Sequence, residues 1–103
     1  MLVVNRFHAD PADGDFRRML EAALQALAAR EGYLDGTVGR NVDQPDLWVL
    51  VTRWRDVGSY RRALSSYDVK VAAVPVLSRA LDEPSAYEVV EGELNTPVPR
   101  SLG

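Results

Sequence analysis

The 103-residue chain contains no cysteine, one histidine and one lysine. The absence of cysteine excludes a disulfide framework, a thiolate metal site and a cysteine nucleophile. A single histidine, His8, cannot form a histidine metal cluster. Without a nucleophile-elbow motif, His8 gives little support to a Ser-His-Asp hydrolase. We therefore expect no metal centre, and we expect His8 to be a surface or rim side chain.

Long apolar runs are also missing. No stretch approaches the ~20 residues needed to cross a bilayer. No N-terminal segment combines basic residues with an apolar run and a small-residue cleavage site. The sequence therefore predicts a soluble, cytoplasmic protein with no membrane partner.

The chain has 12 basic and 15 acidic residues, so its formal net charge is −3. Eleven of the twelve basic residues are arginine. A mildly acidic chain repels a phosphate backbone overall, so nucleic acid is not an expected partner. The only basic doublets, Arg17-Arg18 and Arg61-Arg62, each lie in a helical pattern. A solvated outer face is the simpler interpretation of both doublets.

What is present predicts one ordinary domain, beginning with a strand and an amphipathic helix. Residues 2–8 are of β type, and the turn residues after them offer an N-cap. Apolar side chains then recur at i, i+3, i+4 and i+7 over a helix from about Asp15 to Arg30. They are Phe16, Met19, Leu20, Ala23, Leu24, Leu27 and Ala28. We expect Gly32 to end this helix in a left-handed cap.

The middle of the chain reads as a hairpin followed by helices. A weak strand over 33–42, a turn at 43–46 and a strong strand over 47–55 predict the hairpin. The pattern from Val57 to about Leu81 is helical, with breaks expected near Ser65-Ser66 and at Pro75. Because proline disrupts a helix interior, we predict two short helices there.

The last predicted strand covers Ala86 to Glu91, within a domain of residues 1–91. Residues 92–103, with two prolines, are predicted to form an extended C-terminal tail. The order βαββαβ is that of the ferredoxin-like arrangement, an α+β fold with an antiparallel sheet and its helices on one face.

The other face of such a sheet needs cover. Period-two alternation turns Val4, Val49 and Val51 to the side away from the helices. An apolar sheet face is rarely left in water, so we predict a homodimer formed sheet against sheet.

The junction LWVLVTRWRDVGSYRRAL, residues 47–64, carries the most information in the chain. The apolar, β-branched run ends at Trp54, and Tyr60 lies one helical turn into the segment that follows. A tryptophan at a strand end is usually part of the core, so any other role depends on its neighbours.

Four phrases in order along the chain resemble one known family. They are VVNRFHA, EGYLDGTVGR, WVLVTRW followed by a helix, and PSAYEVVEG. Over about Leu2 to Val90 the chain resembles antibiotic biosynthesis monooxygenase domains, a group of dimeric α/β barrels that includes haem-degrading enzymes. The resemblance implies a dimeric barrel built from two ferredoxin-like subunits.

The family's functional residues match this chain only in part. Trp54 matches a tryptophan of both branches, and Tyr60 matches a tyrosine beside the substrate of the antibiotic-tailoring enzymes. Asn5 matches an asparagine that the haem branch uses near bound oxygen, whereas the tailoring branch has its asparagine four residues before the tryptophan, at Leu50 here. The haem branch also has an axial histidine about ten residues after the tryptophan. This chain has Ala63, Leu64 and Ser65 there.

The resemblance therefore implies an oxygenase without haem, metal or organic cofactor, acting on a small aromatic or polyketide-type phenol or enol with O2. It implies that Asn5, Trp54 and Tyr60 are catalytic, as uncharged donors that stabilise developing negative charge in a dry pocket. The expected substrate-binding residues are Phe7, Leu50, Tyr67 and Leu77.

Simpler interpretations stay open for each of these residues. Asn5 can be a hydrogen-bonded polar group at a strand edge, and Tyr60 a helix residue whose hydroxyl reaches water. The whole chain can be a dimeric ligand-binding or accessory domain without activity, since both diagnostic positions depart from the family. A cyclase or isomerase on the same barrel is a further alternative, because proton abstraction needs only one tuned base.

Overall fold

The structure is a computed structural model, described here over residues 1–91. Its elements in chain order are β1 (Leu2–His8), α1 (Gly14–Ala28), β2 (Tyr33–Arg40), β3 (Leu47–Trp54), α2 (Val57–Ser65), α3 (Tyr67–Ala72), α4 (Val74–Leu77) and β4 (Ala86–Tyr87). The predicted C-terminal tail lies outside the described residues. No helix among residues 1–91 is long and apolar enough to span a membrane.

The strands form one antiparallel sheet in the order β2-β3-β1-β4. This confirms the predicted α+β, ferredoxin-like fold. The last strand is much shorter than the predicted Ala86 to Glu91, since only Ala86 and Tyr87 pair with β1. The register places Tyr87 opposite Leu2, the first residue of β1, so β1 offers no partner to the residues that follow.

Helix α1 begins where the sequence places its cap and ends earlier than predicted. The Asp13 carboxylate accepts a hydrogen bond from the Phe16 backbone N–H at 3.1 Å, and the helix ends at Ala28 with Ala29 as its C-cap. Gly32 does adopt a left-handed conformation, with φ of 88°, but it lies beyond the cap. An added Cβ on Gly32 would lie 2.3 Å from the Ser59 Cβ. The glycine therefore allows α2 to approach the turn before β2.

The second helical region has three pieces where two were predicted. Ser66 is extended, with φ of −74° and ψ of 149°, and it separates α2 from α3. The next break falls at Ala73, and Pro75 lies in the first turn of α4. A proline in the first turn costs no helical hydrogen bond, so Pro75 helps to start a helix and does not end one.

The core lies between the helices and one face of the sheet. Val3, Phe7, Trp48, Leu50, Thr52 and Trp54 of β1 and β3 are buried there. Phe16 of α1 makes edge contacts with the rings of Phe7 and Trp48, with centroids 5.6 and 5.7 Å apart. Val4, Val49 and Val51 alternate with the buried residues and lie on the opposite face, as the sequence predicted.

Candidate functional site

The connection from β3 to α2 is short and tightly capped, which fixes Tyr60 relative to Trp54. Asp56 is the N-cap of α2, and its carboxylate accepts a 2.7 Å hydrogen bond from the Ser59 backbone N–H. This bond and the neighbouring Ser59 and Arg55 side chains lower the pKa of Asp56 to about 2. The cap is therefore a carboxylate at neutral pH.

Trp54 lies at the end of β3 with no solvent exposure. Its indole ring is packed between Tyr33, with centroids 5.6 Å apart, and Tyr60, with centroids 5.4 Å apart. Its Nε1–H donates a 2.9 Å hydrogen bond to the Thr52 hydroxyl. In the described chain this donor is therefore used inside the core, whereas the resemblance implies that it serves the substrate.

Tyr60 is half-buried against the core. Burial raises the pKa of its phenol, so the side chain is neutral across the physiological range. Its hydroxyl makes no hydrogen bond within residues 1–91. Every side-chain oxygen or nitrogen that is fully buried in this part of the chain has a hydrogen-bond partner, so the unpaired Tyr60 hydroxyl is not fully buried. The hydroxyl is therefore reachable from outside the core.

Asn5 lies on the helix-facing side of β1, directly opposite Leu50 of β3. It is half-buried, and its amide makes no hydrogen bond to any other part of the described chain. Since every fully buried side-chain oxygen or nitrogen in residues 1–91 has a hydrogen-bond partner, the unpaired side-chain amide of Asn5 must be partly exposed. It can therefore contact a ligand or water. The side-chain N–H and C=O groups of Asn5 are thus unpaired within residues 1–91, and they lie on the sheet face that packs against the helices.

Asn5 and Trp54 share a sheet face, but they are not neighbours. One cross-strand pair, Val3 opposite Thr52, lies between them. Leu50, the partner of Asn5, precedes Trp54 by four residues, a distance of roughly 13 Å along a strand. Asn5 and the Trp54 ring that Tyr60 contacts therefore lie at different positions along the sheet.

The four expected lining residues have different positions. Phe7 and Leu50 are buried on the same face as Asn5, and Leu77 packs against the core from α4. The structure does not bring Tyr67 into this group, since its side chain is 78% exposed. The extended Ser66 restarts the helix between Tyr60 and Tyr67, so their seven-residue spacing does not place them on one face.

Four open clefts of residues 1–91 are lined by residues other than Asn5, Trp54 and Tyr60. A cleft of about 460 Å³ lies between β4 and the β3–α2 connection. Its lining residues are Met1, Arg55, Asp56, Val57, Ala86, Tyr87, Glu88 and Val89. Further clefts of about 240, 350 and 110 Å³ are also lined by residues other than Asn5, Trp54 and Tyr60. The largest of these clefts could not be foreseen from the sequence, because it depends on the register of β4 against β1.

His8 lies on the face away from the helices, where its Nδ1 is 3.2 Å from the Asp46 carboxylate. Within residues 1–91 no group of three or more His, Cys, Asp or Glu side chains could hold a metal ion. The resemblance implies that the haem branch has its axial histidine near residues 63–65, and of these Ala63 is buried in the core. The candidate site therefore consists of Asn5 and Tyr60 as accessible polar groups, with Trp54 as the ring that supports Tyr60.

The chain belongs to the antibiotic biosynthesis monooxygenase family, whose model matches residues 1–74. Its fold is similar to that of SnoaB, a cofactor-independent oxygenase from Streptomyces nogalater. The TM-score is 0.71, with 23% identity over 92% of this chain and 96% of the other.

A proposed antibiotic biosynthesis monooxygenase from Deinococcus radiodurans is similar too. Its TM-score is 0.70, with 20% identity over 94% of this chain and 100% of the other. Rv0793 from Mycobacterium tuberculosis has a TM-score of 0.66 and 21% identity over 92% of this chain and 97% of the other. The comparison with curated proteins gives no match. At these identities the likeness to solved structures shows the fold.

Proposed function

We propose that the protein is a cofactor-independent monooxygenase that acts on a fused-ring phenol or enol of aromatic or polyketide type, with O2 as the second substrate. Membership of the family supports this reaction class. The observation that carries the proposal is the Asn5 amide, which is accessible, unpaired within residues 1–91 and placed directly opposite Leu50. In the antibiotic-tailoring enzymes that the chain resembles, an asparagine occupies the position of Leu50 on β3. In this chain Asn5 supplies a side-chain amide at the same cross-strand pair, from β1.

The chemistry needs no metal or organic cofactor, because the substrate supplies the electrons. An anthrone-like phenol loses a proton, and the resulting carbanion reduces O2 to a peroxide bonded to carbon. Loss of water leaves a new carbonyl on the substrate, so one oxygen atom enters the product and the other leaves as water. The two hydrogens of that water come from the oxidised carbon.

The protein's part is to favour the deprotonated substrate and to exclude water. The Asn5 amide N–H is the donor that would stabilise negative charge on the substrate oxygen. The Tyr60 hydroxyl, neutral because burial raises its pKa, would be a second donor at the other end of the ligand. Trp54 supports the Tyr60 ring and closes the end of the sheet.

The exchange of residues across the β1–β3 pair tests this proposal. We expect wild-type protein to consume O2 with anthrone faster than buffer does, and Asn5→Leu to lower that rate by roughly 100-fold, the effect of losing one preorganised donor. The double variant Asn5→Leu/Leu50→Asn returns an amide to the same cross-strand pair and should recover part of the rate. An oxygen electrode measures the rates, and circular dichroism checks the fold.

Two controls separate the donor from the rest of the side chain. Asn5→Asp keeps the shape but lacks the amide N–H, so it should be as slow as Asn5→Leu. Gln25→Leu removes an exposed amide on α1 and should leave the rate unchanged. A wild-type rate in Asn5→Leu would disprove the role of Asn5. No rate above buffer across a panel of anthrones and hydroquinones would disprove the oxygenase function.

A second candidate function is a ligand-binding or accessory domain without catalysis. One observation favours it: Trp54, Leu50 and Phe7 are at most 1% exposed, so much of the sheet face is filled by side chains. Under this function an anthraquinone should bind saturably and quench tryptophan fluorescence, while anthrone gives no enzymatic O2 consumption.

A further inference from the structure

The arginines of residues 1–91 fall into three groups by their partners. Five form ion pairs with carboxylates, namely Arg6, Arg17, Arg18, Arg53 and Arg55. Two stack on aromatic rings, Arg40 on Trp48 and Arg79 on Phe16. The remaining three, Arg30, Arg61 and Arg62, have neither a carboxylate nor a ring as partner within this part of the chain.

These three arginines line a single shallow, open cleft of about 350 Å³, together with Ser65 and Ser66. We call it the arginine cleft. None of its lining residues is acidic. An adjoining cleft that shares Arg30 and Arg62 contains one carboxylate, Glu31, which lies 3.5 Å from the guanidinium of Arg55.

The fold holds the cleft together through the contact between Gly32 and Ser59. Arg30 follows α1, two residues before Gly32, and Arg61 and Arg62 follow Ser59 on α2. Because Gly32 lacks a Cβ, the two segments approach closely enough to bring the three guanidinium groups to one cleft. Arg62 is further held by a 3.3 Å hydrogen bond from its Nη2 to the Ser59 hydroxyl.

The two basic doublets of the sequence therefore differ in their surroundings. Arg17 and Arg18 lie on the exposed side of α1 and pair with Glu21 and Asp15. Arg61 and Arg62 have no such partners and share their cleft with a third cation. A solvated outer face explains the first doublet but leaves the second without a counter-charge.

Helix C-termini give a partial explanation, since cations near the ends of α1 and α2 complement the partial negative charge there. That charge amounts to about half an elementary charge per helix. Three full positive charges around one cleft exceed it, so the helix ends offset only part of the charge of the three arginines.

We propose that the arginine cleft binds a phosphate group, either free or as the monoester of a small molecule. Planar guanidinium groups match the oxygens of phosphate in bidentate geometry, and the dianion offsets the uncompensated charge. The overall net charge of −3 and the small number of cations favour a single anion over a nucleic-acid backbone. This site is separate from Asn5 and does not depend on the proposed oxygenase function.

Amide-resolved NMR titration at constant ionic strength tests the proposal, with inorganic phosphate in one arm and phenyl phosphate in the other. We expect saturable shifts centred on residues 30, 61–62 and 65–66 in at least one arm. Equal affinity in both arms indicates a site for free phosphate, and tighter binding of phenyl phosphate indicates an ester. Arg61→Gln/Arg62→Gln should weaken binding by roughly tenfold or more, as expected when charge-assisted hydrogen bonds are lost.

The matched control is Arg17→Gln/Arg18→Gln, which removes the same charge from the other doublet and should leave phosphate affinity unchanged. Equal weakening by both double variants would show that only net charge matters and would overturn the proposal. Shifts that do not saturate, or that sodium chloride reproduces at the same ionic strength, would overturn it as well. Unchanged dispersion of the variant spectra confirms that loss of binding is not loss of fold.

Discussion

At the scale of single residues, the internal hydrogen bond of Trp54 changes what its substitution should do. The indole N–H donates to Thr52 in the core, so removing it affects stability before it affects a ligand. We expect Trp54→Phe to lower the free energy of unfolding by about 1–3 kcal/mol, from lost volume and a lost buried hydrogen bond. Chemical denaturation measures this change.

Thr52→Val supplies the control, because it removes the acceptor and keeps the shape. In the double variant the two changes should couple by about 1 kcal/mol, since each single variant breaks the same bond. Simple additivity would show that the bond contributes nothing. A large loss of turnover in Trp54→Phe, with unchanged stability and no effect of Thr52→Val, would instead show that the indole N–H donates a hydrogen bond to the substrate.

Part of this residue-level organisation could be predicted from the sequence. Period-two alternation allows Asn5 and Trp54 to share one face, and the β1–β3 register, which places Asn5 opposite Leu50, decides that they do. The bond from Trp54 to Thr52 could not be foreseen, since it joins side chains two apart on one strand and depends on the tryptophan rotamer. The exposure of Tyr67, which the resemblance implies as a lining residue, could not be foreseen either, because it depends on the break in the helix at Ser66.

At the scale of elements, α2 depends on a charged cap whose contribution should vary with pH. The folded-state pKa of Asp56, about 2, lies below the ordinary aspartate value of 3.8. A depressed pKa means that the folded state favours the carboxylate. The stabilisation is therefore present above pH 4 and is lost as the pH falls toward 2.

We expect Asp56→Asn to flatten the dependence of stability on pH between 4 and 2, while keeping an acceptor for the Ser59 N–H. Asp56→Ala should remove both the cap and the pH dependence, so it should be less stable than Asp56→Asn at pH 7. Thermal unfolding followed by circular dichroism measures both variants. A wild-type acid profile in Asp56→Asn would contradict the assignment, and Asp10→Asn, an exposed turn residue, is the control.

The element boundaries show where local patterns are sufficient. Strand β3 and the start of α1 follow from β-branched runs and an N-cap, both of which act locally. The length of β4 and the start of α4 depend on other parts of the chain. The register with Leu2 sets the extent of the last strand, and the break at Ala73 turns Pro75 into a helix-starting residue.

At the scale of the whole molecule, the face of the sheet away from the helices has the arrangement of an interface. Val4 and Val51 are register partners at its centre, and Val51 is also opposite Thr37. Three polar pairs surround this centre: the ion pairs of Arg6 with Glu83 and Arg53 with Asp35, and the hydrogen-bonded pair of His8 with Asp46. An apolar centre with a polar rim is typical of protein interfaces. We propose that two copies of the chain pack through this face.

The substitution Val51→Lys tests the proposed homodimer. In a face-to-face dimer the lysine would be buried without a partner, which should cost about 3 kcal/mol or more and weaken association by roughly 100-fold. Light scattering at micromolar concentration should give a dimer mass for wild type and a monomer mass, or a dimer dissociating on dilution, for the variant. Circular dichroism shows whether the variant subunit stays folded.

Val42→Lys is the matched control, because Val42 is 93% exposed in the turn after β2 and should tolerate the charge without change in mass. If Val51→Lys does not fold, the milder Val4→Thr should still weaken association, since it places an unpaired hydroxyl at the centre of the face. A monomer mass for the wild-type protein would disprove the dimer. A dimer mass that persists in a folded Val51→Lys variant would show that the two copies meet through another surface, and the exposed Tyr67 and Val71 of α3 would be the next to substitute.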